Sequence, residues 1–302
     1  MFHTYERRSI PASRIADLVG GKVRGSAALE VNGVCSLTAP KPGALTFCTK
    51  AELLPTNLDP SIIVLVPEAS DAPREGTHIT VQNPRLAFAM ACSAFFERHP
   101  EPSISTSAVI DPTAVIGAGV AIGPGCVIGP DVQIGAGTEI RANVVIGPGV
   151  VMGQRCFVKS GAIIGEEGFG IAKTPEGRNF RVPQFGSVIM GDKVEVGSLT
   201  TVTSGTLDPV LIADRVKIDD HVHIGHNAVI GEDSIITACS EMGRVRMGKG
   251  VWIGPNTSIK EGVTICDDAF VGIGSVVIRN LETPGTYAGV PTRLLRARGD
   301  AA

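Results

Sequence analysis

Aromatic residues are scarce in this chain of 302 residues: they make up 4% of it, with one tryptophan, while 43% of the residues are hydrophobic. A core with so few rings must be filled mainly by Ile, Val, Leu and Ala, which suit stacked, uniform layers. An excess of charge of one sign is also missing, since the formal net charge is −3. This balance does not indicate a nucleic-acid-binding surface.

Closely spaced cysteines and long apolar runs are missing too. The seven cysteines lie at positions 35, 48, 92, 126, 156, 239 and 266, so no pair has the spacing of a zinc site or redox dithiol. We expect free thiols, most of them core fillers, as is typical of cytoplasmic proteins.

The first residues, MFHTYERRSIPAS, lack the apolar segment of a signal peptide, and no run reaches membrane-spanning length. A cytoplasmic protein without an integral membrane segment is therefore expected.

A period of six residues dominates the chain after position 104. Isoleucine, valine or methionine occupies every sixth position from Ile104 to Ile164, and a glycine usually follows. A helix has a period of about 3.6 and a half-buried strand a period of 2, so neither explains the pattern. Six is the repeat of a parallel β-helix, in which three hexapeptides form a triangular coil and coils stack about 4.8 Å apart. We expect the aliphatic residue to point inward and the glycine to supply the positive φ of a tight corner.

Two insertions interrupt this period. The first, GEEGFGIAKTPEGRNFRVPQFGS, follows Ile164, and the second, TSGTLDPVL, precedes Ile212. A five-residue step also separates Met242 from Met247. Insertions leave a solenoid as loops on one face, often the binding face. We therefore expect the VPQFGS end of the first insertion to lie beside the coils that carry three histidines.

The first hundred residues lack the period and predict a small α/β domain over 1–100. SIPASRIADLVGGKV predicts a helix capped by Ser13 and ended by Gly20. ALTFCTK, SIIVLVP and HITVQ predict strands, and PRLAFAMACSAFFERHP predicts a second helix. The β-helix is expected over 101–286, and the tail, 287–302, is expected to close the last coil and to end in a frayed basic segment.

The stretch HVHIGHNAVIG holds three of the six histidines. Ile224 is an inward residue, so His226 begins the next corner and is expected to project outward at an edge of the prism. His223 also faces outward, and His221 lies three residues after the inward Ile218. Asn227 can form a local hydrogen bond, and Asp219, about one hexapeptide earlier, could orient an imidazole.

Two simpler readings of these histidines compete with a catalytic one. All three could be solvated corner residues. They could also bind zinc, because two of the three zinc-binding histidines of trimeric β-helical carbonic anhydrases lie five residues apart, as His221 and His226 do. The remaining histidines, at 3, 78 and 99, all lie in the N-terminal domain. No histidine on another coil completes a closed ligand set, so the sequence does not favour a metal site.

Several stretches resemble one family over nearly the whole chain: KPGALTF, SGAIIGEEGFGIA, VPQFGSVIMGDKVEVG and VKIDDHVHIGHNAVIG. They resemble the UDP-3-O-acylglucosamine N-acyltransferases of lipid A biosynthesis. The resemblance implies a mainly β fold, a left-handed parallel β-helix with a small N-terminal α/β domain that binds uridine, and a homotrimer. It also implies transfer of a (3-hydroxy)fatty acyl group from acyl carrier protein to the amine of UDP-3-O-acylglucosamine, with no cofactor.

The resemblance assigns roles to individual residues. His226 matches the general base, Asp219 the residue that fixes its tautomer, and Gly243 the backbone N–H that binds the oxyanion. Phe47 matches the aromatic residue that stacks on uracil. The remaining substrate-binding candidates are Lys50, Asn227, His223, Phe169 and Gln184. The candidate contacts to the acidic carrier protein are Arg244, Arg246, Lys249 and Lys260.

The chain departs from the family pattern at substrate-contacting positions. Lys50 and Leu53 stand where the family usually has Asn and Tyr for uracil, and Thr203 and Ser204 replace an Asp-Arg pair. Gly262 stands where the family has a second histidine, the segment around Gly243 is one residue short, and the family's C-terminal helices are missing. These departures indicate a divergent member or a paralogue. Two alternatives therefore stay open: an acyl-coenzyme A-dependent N-acyltransferase acting on another nucleotide-linked amino sugar, and a non-catalytic β-helical scaffold.

Overall fold

A computed structural model describes residues 8–55, 57–68, 76–97 and 101–297. The chain divides into two compact units, Met1–His99 and Pro100–Ala302. Both α-helices of the described residues, Ala12–Val19 (α1) and Pro84–Ala91 (α2), lie in the first unit. Neither these helices nor any other helix in the described ranges is long and apolar enough to cross a membrane.

The first unit is a small α/β fold, as predicted. Its five-stranded sheet has the spatial order Lys22–Arg24, Thr77–Val81, Ile63–Pro67, Ala44–Phe47, Gly33–Val34. A two-stranded sheet pairs Ile10–Pro11 with Glu30–Val31, and a short 3₁₀ helix covers Ala51–Leu53. Helix α2 continues as a π-helix, Cys92–Phe96.

The predicted start of α1 is wrong by two residues. Pro11, which has no side-chain capping bond, precedes the first helical residue, so Ser13 lies inside the helix. Proline is favoured near a helix start because its φ is already helical and it has no N–H to satisfy. The predicted end is confirmed: Gly20 ends the helix with φ 65° and donates its N–H to the Ala16 carbonyl.

The second unit is a parallel β-helix whose coils build three flat faces. The first face has nine strands: Val109–Ile110, Val127–Ile128, Val145–Ile146, Ile163–Glu166, Thr201–Thr203, His223–Ile224, Glu241–Met242, Ser258–Ile259 and Val276–Val277. The second face has eight: Val115–Ile116, Gln133–Ile134, Val151–Met152, Val188–Met190, Val210–Ile212, Val229–Ile230, Arg246–Met247 and Thr264–Ile265. The third face has ten: Ala121–Ile122, Glu139–Ile140, Phe157–Val158, Glu195–Val196, Lys217–Ile218, Ile235–Ile236, Trp252–Ile253, Phe270–Val271, Gly285–Ala288 and Arg293–Ala297.

Three corners connect these faces within each coil. We call the turn from the first face to the second the first corner, the turn from the second face to the third the second corner, and the turn from the third face back to the first the third corner.

The predicted inward ladder is confirmed. Within each face the inward residues pair in register, as Val202, Ile224 and Met242 do on the first face. All three are at most 1% exposed and belong to one continuous core. Burial of such an aliphatic side chain contributes about 1.5–3 kcal/mol, so the repeat is the main source of stability in this unit.

Most glycines that follow an inward residue have a different purpose from the one predicted, although Gly165, with φ 84°, does have the predicted positive φ. Gly117 does not have positive φ; a Cβ on it would lie 2.7 Å from the Ala136 nitrogen in the next coil. The glycine is therefore required because adjacent coils approach too closely for a side chain. Positive φ falls two residues later, on Gly119 (72°) and also on larger residues such as His221 and Asn227 (both 58°).

Both insertions leave the prism at the first corner. The first contains a hairpin, Ile171–Lys173 with Asn179–Arg181. At the other end of the unit, Gly285–Ala288 extends the third face, and Arg293–Ala297 pairs with it antiparallel. The tail thus closes the last coil and forms a strand through Ala297. The predicted frayed end falls on residues 298–302, which lie outside the described residues.

The cysteines are free, as predicted. Burial is less general than expected: three are buried (Cys48, Cys126 and Cys156), three are half-buried, and Cys239 is exposed. Among the described residues, no three His, Cys, Asp or Glu side chains are grouped closely enough to hold a metal ion. His3 and His99 lie outside the described residues.

Candidate functional site

His226 lies on the first corner, directly after Gly225. Ile224 points into the core, and a Cβ at position 225 would lie 3.0 Å from both the Gly243 Cα and the Met242 carbonyl oxygen. The corner is therefore tight, and the half-buried imidazole projects away from the core, as the register predicts.

Asn227 fixes the protonation of the His226 ring. Its Nδ2 donates to the Asp208 carbonyl at 3.2 Å, and its Oδ1 accepts from the Thr206 N–H at 3.1 Å, so the two ends of the amide are assigned unambiguously. His226 Nδ1 lies 3.0 Å from that same Oδ1. Since Oδ1 can only accept, Nδ1 must carry the hydrogen. In the neutral ring, Nε2 is then the nitrogen with a free lone pair, which is the state required of a general base.

The two insertions meet at this corner. A Cβ on Gly168, in the GFG segment, would lie 3.1 Å from the His226 Cβ and 3.2 Å from Gln184 Oε1. Thr206 in the second insertion donates its hydroxyl hydrogen to Gln184 Oε1 at 2.9 Å. This confirms that the PQ end of the first insertion lies beside the histidine. Phe169, in the same GFG segment, is 81% exposed, and its substrate-binding role stays a prediction.

An open pocket of about 690 Å³ lies beside His226. Its lining combines apolar side chains, two arginines, and His226 with the hydrogen-bond partner Asn227. The lining residues are Thr206, Leu207, Asp208, Pro209, Leu211, His226, Asn227, Val229, Arg244 and Arg246. Such a pocket can hold an elongated ligand that has both an apolar part and an anionic group.

The Gly243 N–H lies on the first corner one coil after His226 and is a free backbone donor in the described part of the chain. The Gly225 N–H donates to the Met242 carbonyl at 2.7 Å. The equivalent N–H one coil later, on Gly243, has no hydrogen-bond partner among the described residues. The physical reason is the five-residue step from Met242 to Met247, which removes one residue from this corner. The missing residue therefore frees the N–H of Gly243, the candidate oxyanion donor.

Asp219 does not contact His226 within one chain, and its role as the residue that fixes the tautomer stays a prediction. It lies on the third corner, because seven residues span a whole face of the prism, and its carboxylate is 3.9 Å from Lys159 Nζ. Asp220 has a structural role: its Oδ1 accepts from Lys159 Nζ at 2.7 Å and from the Ser198 N–H at 2.6 Å. Burial raises the pKa of Asp220, but these hydrogen bonds outweigh it and lower the pKa below its ordinary value.

The other two histidines lie apart from this network. His221 is exposed on the third corner. His223 is exposed on the first face, between Thr201 and Glu241 in register. The neighbouring strands thus give His223 polar surroundings, and its substrate-binding role stays a prediction.

The four basic candidates do not form one patch. Arg244 and Arg246 line the pocket, and Arg244 Nε is 3.5 Å from Glu261 Oε1. Lys260 is exposed on the first corner one coil further on, whereas Lys249 lies on the second corner, at the far edge of the second face. Of the four, only the two arginines line the pocket beside His226.

In the first unit, Phe47 is half-buried and packs against Phe88, with ring centroids 4.9 Å apart. Lys50 is exposed, and its carbonyl accepts from the Cys48 thiol at 2.9 Å. Leu53 is also exposed. Phe47 is thus partly committed to the core of its own unit, and its stacking on uracil stays a prediction.

Thr203 and Ser204, the residues in place of the family's Asp-Arg pair, are buried under the first corner. Thr203 donates its hydroxyl hydrogen to the Ile224 carbonyl at 3.3 Å, and the Ser204 N–H donates to the Glu166 carbonyl at 2.7 Å. They therefore join the two insertions to the coil of His226 and add no charge there. This supporting layer, like the Asn227 network, could not be read from the six-residue period, which ends at the insertions.

Comparisons with known proteins agree with this architecture. The family described as bacterial transferase hexapeptide (six repeats) matches residues 131–166, 209–244 and 244–279. The UDP-3-O-acylglucosamine N-acyltransferase of Pseudomonas paraeruginosa is 34% identical, with 93% of this chain and 85% of the relative aligned. The enzyme of the same name from Coxiella burnetii is 31% identical, over 91% of this chain and 87% of the relative.

A solved structure, LpxA from Acinetobacter baumannii, matches with a TM-score of 0.59 and 26% identity, over 64% of this chain and 73% of that one. The predicted left-handed parallel β-helix is thereby confirmed. Identity above 30% over nine-tenths of the chain also shows that the protein is an acyltransferase. The chain belongs to the UDP-3-O-acylglucosamine N-acyltransferase family.

Proposed function

We propose that this protein transfers a (3-hydroxy)fatty acyl group from acyl carrier protein to the amine of UDP-3-O-acylglucosamine, a step of lipid A biosynthesis. The observation that carries the proposal is the Asn227 network, which leaves His226 Nε2 as a proton acceptor beside a pocket of suitable shape. The relatives named for this reaction supply the substrate class.

In the proposed mechanism, the substrate amine attacks the thioester carbonyl while His226 Nε2 takes a proton from the amine. The new C–N bond forms as the carbonyl π bond opens, and the resulting oxyanion accepts the free N–H of Gly243. Collapse of this intermediate breaks the C–S bond. The leaving thiolate takes the proton from the imidazolium, so an amide and a carrier thiol are released and His226 is neutral again.

The pocket supports an acyl thioester on a phosphate-bearing arm as the donor. The apolar side, with Leu207, Leu211 and Val229, suits the acyl chain or the arm, and Arg244 and Arg246 suit a phosphodiester. Lys249 and Lys260 are further candidate contacts to the acidic surface of a carrier protein. Coenzyme A ends in a similar arm, so the donor is decided by experiment.

A homotrimer is part of the proposal. The pocket is open to one side, and Asp219 lies on a different corner from His226. Packing of three prisms would bring the third corner of one copy towards the first corner of the next, where its Asp219 could reach the substrate or the histidine. The N-terminal unit, with Phe47 and Lys50, would supply the contacts to the nucleotide.

The test is turnover of UDP-3-O-(3-hydroxyacyl)glucosamine by purified protein, with either hydroxyacyl carrier protein or hydroxyacyl coenzyme A as donor. We expect N-acylated product with the carrier protein. We also expect a loss of about 10²–10⁴-fold in His226→Ala, which is the usual contribution of a general base. Turnover with coenzyme A alone would contradict the proposed donor. A loss below about tenfold in His226→Ala would contradict its role as base, and no turnover with either donor would favour the scaffold alternative.

A further inference from the structure

The last coil of the β-helix ends in a surface with exposed apolar side chains. Five of them are between 40% and 72% exposed: Ile273, Ile278, Val290, Leu294 and Leu295. Two hydrogen bonds hold the turn that contains Val290 against the last strand of the first face: the Val276 N–H donates to the Gly289 carbonyl at 3.1 Å, and the Thr292 N–H donates to the Val276 carbonyl at 2.9 Å. We call these five residues, with the arginines described next, the end surface.

Closure of the core does not require these side chains. Val277, Leu281 and Tyr287 already close the bottom of the prism and are at most 6% exposed. The last strand, Arg293–Ala297, continues the third face beyond them. Leu294 pairs with Tyr287, and Leu295 is the extra residue where the register of this pairing shifts. The projecting strand therefore presents two exposed apolar side chains.

The end surface is also cationic. Arg279, Arg293 and Arg296 are exposed, and none of them has an acidic partner in the described part of the chain. Between positions 273 and 297, Glu282 is the one acidic residue. This concentration of positive charge contrasts with the net charge of −3 for the whole chain. Exposed apolar side chains interleaved with arginines are typical of surfaces that bind anionic membranes.

We propose that the end surface docks the protein on an anionic lipid bilayer. A bilayer accepts scattered apolar side chains at several heights, whereas a protein partner needs a complementary contour. The choice also rests on the proposed function, because a product with two long acyl chains is poorly soluble and has to reach a membrane. Docking through the last coil would leave the first corner, with His226, free for the donor.

The charges set the size of the expected effect. A basic residue at an anionic surface contributes about 1 kcal/mol, or roughly a fivefold change in partitioning. Reversal of Arg293 and Arg296 should therefore weaken vesicle binding by at least about 25-fold. At about 1 M salt the screening length is only ~3 Å, so the electrostatic part of vesicle binding should be lost. The part of the binding that comes from the apolar side chains should persist.

Co-flotation of the full-length protein with vesicles tests the inference without substrates. We expect binding to equimolar phosphatidylcholine–phosphatidylglycerol vesicles and little binding to phosphatidylcholine alone. The double variants Arg293→Glu/Arg296→Glu and Val290→Ser/Leu295→Ser should lose this binding. The matched controls are Arg155→Glu/Arg178→Glu, with the same change of charge, and Val109→Ser/Val115→Ser, at the other end of the prism. Val109 and Val115 are as exposed as the residues they control for.

Absence of binding to the anionic vesicles, or equal losses in the variants and their controls, would overturn the inference. So would variants that bind vesicles normally but need more acyl carrier protein for turnover in solution, since the end surface would then dock a protein. Because flotation needs no turnover, an inactive protein that still binds vesicles would refute the proposed function and leave the docking intact.

Discussion

The side chain of Asn227 is predicted to set the activity of His226 through its hydrogen bond to the imidazole ring. Replacement by glycine removes the Oδ1 that accepts from His226 Nδ1 at 3.0 Å and from the Thr206 N–H at 3.1 Å. Glycine is the informative substitution because position 227 has φ 58°, which glycine adopts without strain. Asn227→Ala would add a backbone cost of ~1 kcal/mol that has no connection with the ring.

The expected loss follows from the bonds removed. A neutral hydrogen bond contributes about 0.5–1.5 kcal/mol, and the contacts of Asn227 with His226 and Thr206 both disappear. Their sum, ~1–3 kcal/mol, corresponds to a decrease of about 5- to 150-fold in kcat. KM should change little, because Asn227 acts through the tautomer and orientation of the ring.

A double-mutant cycle on steady-state turnover separates this role from a general loosening of the corner. If Asn227 acts through His226, Asn227→Gly should have no further effect on kcat in a His226→Ala background. Equal losses of kcat in both backgrounds would refute the reasoning. So would a single variant with kcat within about twofold of the wild type.

Three further predictions concern the scaffold. Ile224→Ala should lower the free energy of unfolding by about 2–5 kcal/mol, because Ile224 is fully buried, while Val127→Ala on an outward position should cost far less; equal denaturation midpoints would contradict the ladder. Thiol titration of the native protein should modify Cys239 first and Cys156 last, because burial raises the pKa of Cys156 to about 11; fast labelling of Cys156 would contradict its burial. Burial, and then the charge of Arg24, lower the pKa of His78 in the folded protein. The unfolded chain therefore takes up this proton first, and the free energy of unfolding falls as the pH drops below the ordinary pKa of 6.5. His78→Gln should reduce the dependence of the unfolding midpoint on pH over that range, and an unchanged dependence would contradict this assignment.

The period of six was sufficient to predict the fold because each hexapeptide repeats the same local pattern, one inward aliphatic residue followed by a turn. Ile224 must point inward wherever the coil is placed, so the outward position of His226 follows from the count alone. The purpose of the glycines could not be counted in the same way. Gly117 and Gly119 both serve one corner, and only coordinates distinguish close approach from positive φ.

The site was predicted less completely, because its geometry depends on contacts between segments without a period. Asn227 was named as a local hydrogen-bonding residue, but its bonds to Thr206 and Asp208 arise from the path of the second insertion. Only seven residues separate Asp219 from His226 in the sequence, which suggests that the two side chains are close in space. In a triangular coil, seven residues lead from one corner to the next.

The measurement that tests the central claim most directly is the tautomer of His226 in solution. Long-range proton–nitrogen correlation spectra of nitrogen-15-labelled protein, assigned with His226→Ala, report which ring nitrogen carries the hydrogen. We predict that the neutral ring is protonated on Nδ1 and bare on Nε2, and that Asn227→Gly removes this preference. A neutral ring with its hydrogen on Nε2 would contradict the account, because His226 could not then accept the proton of the substrate amine.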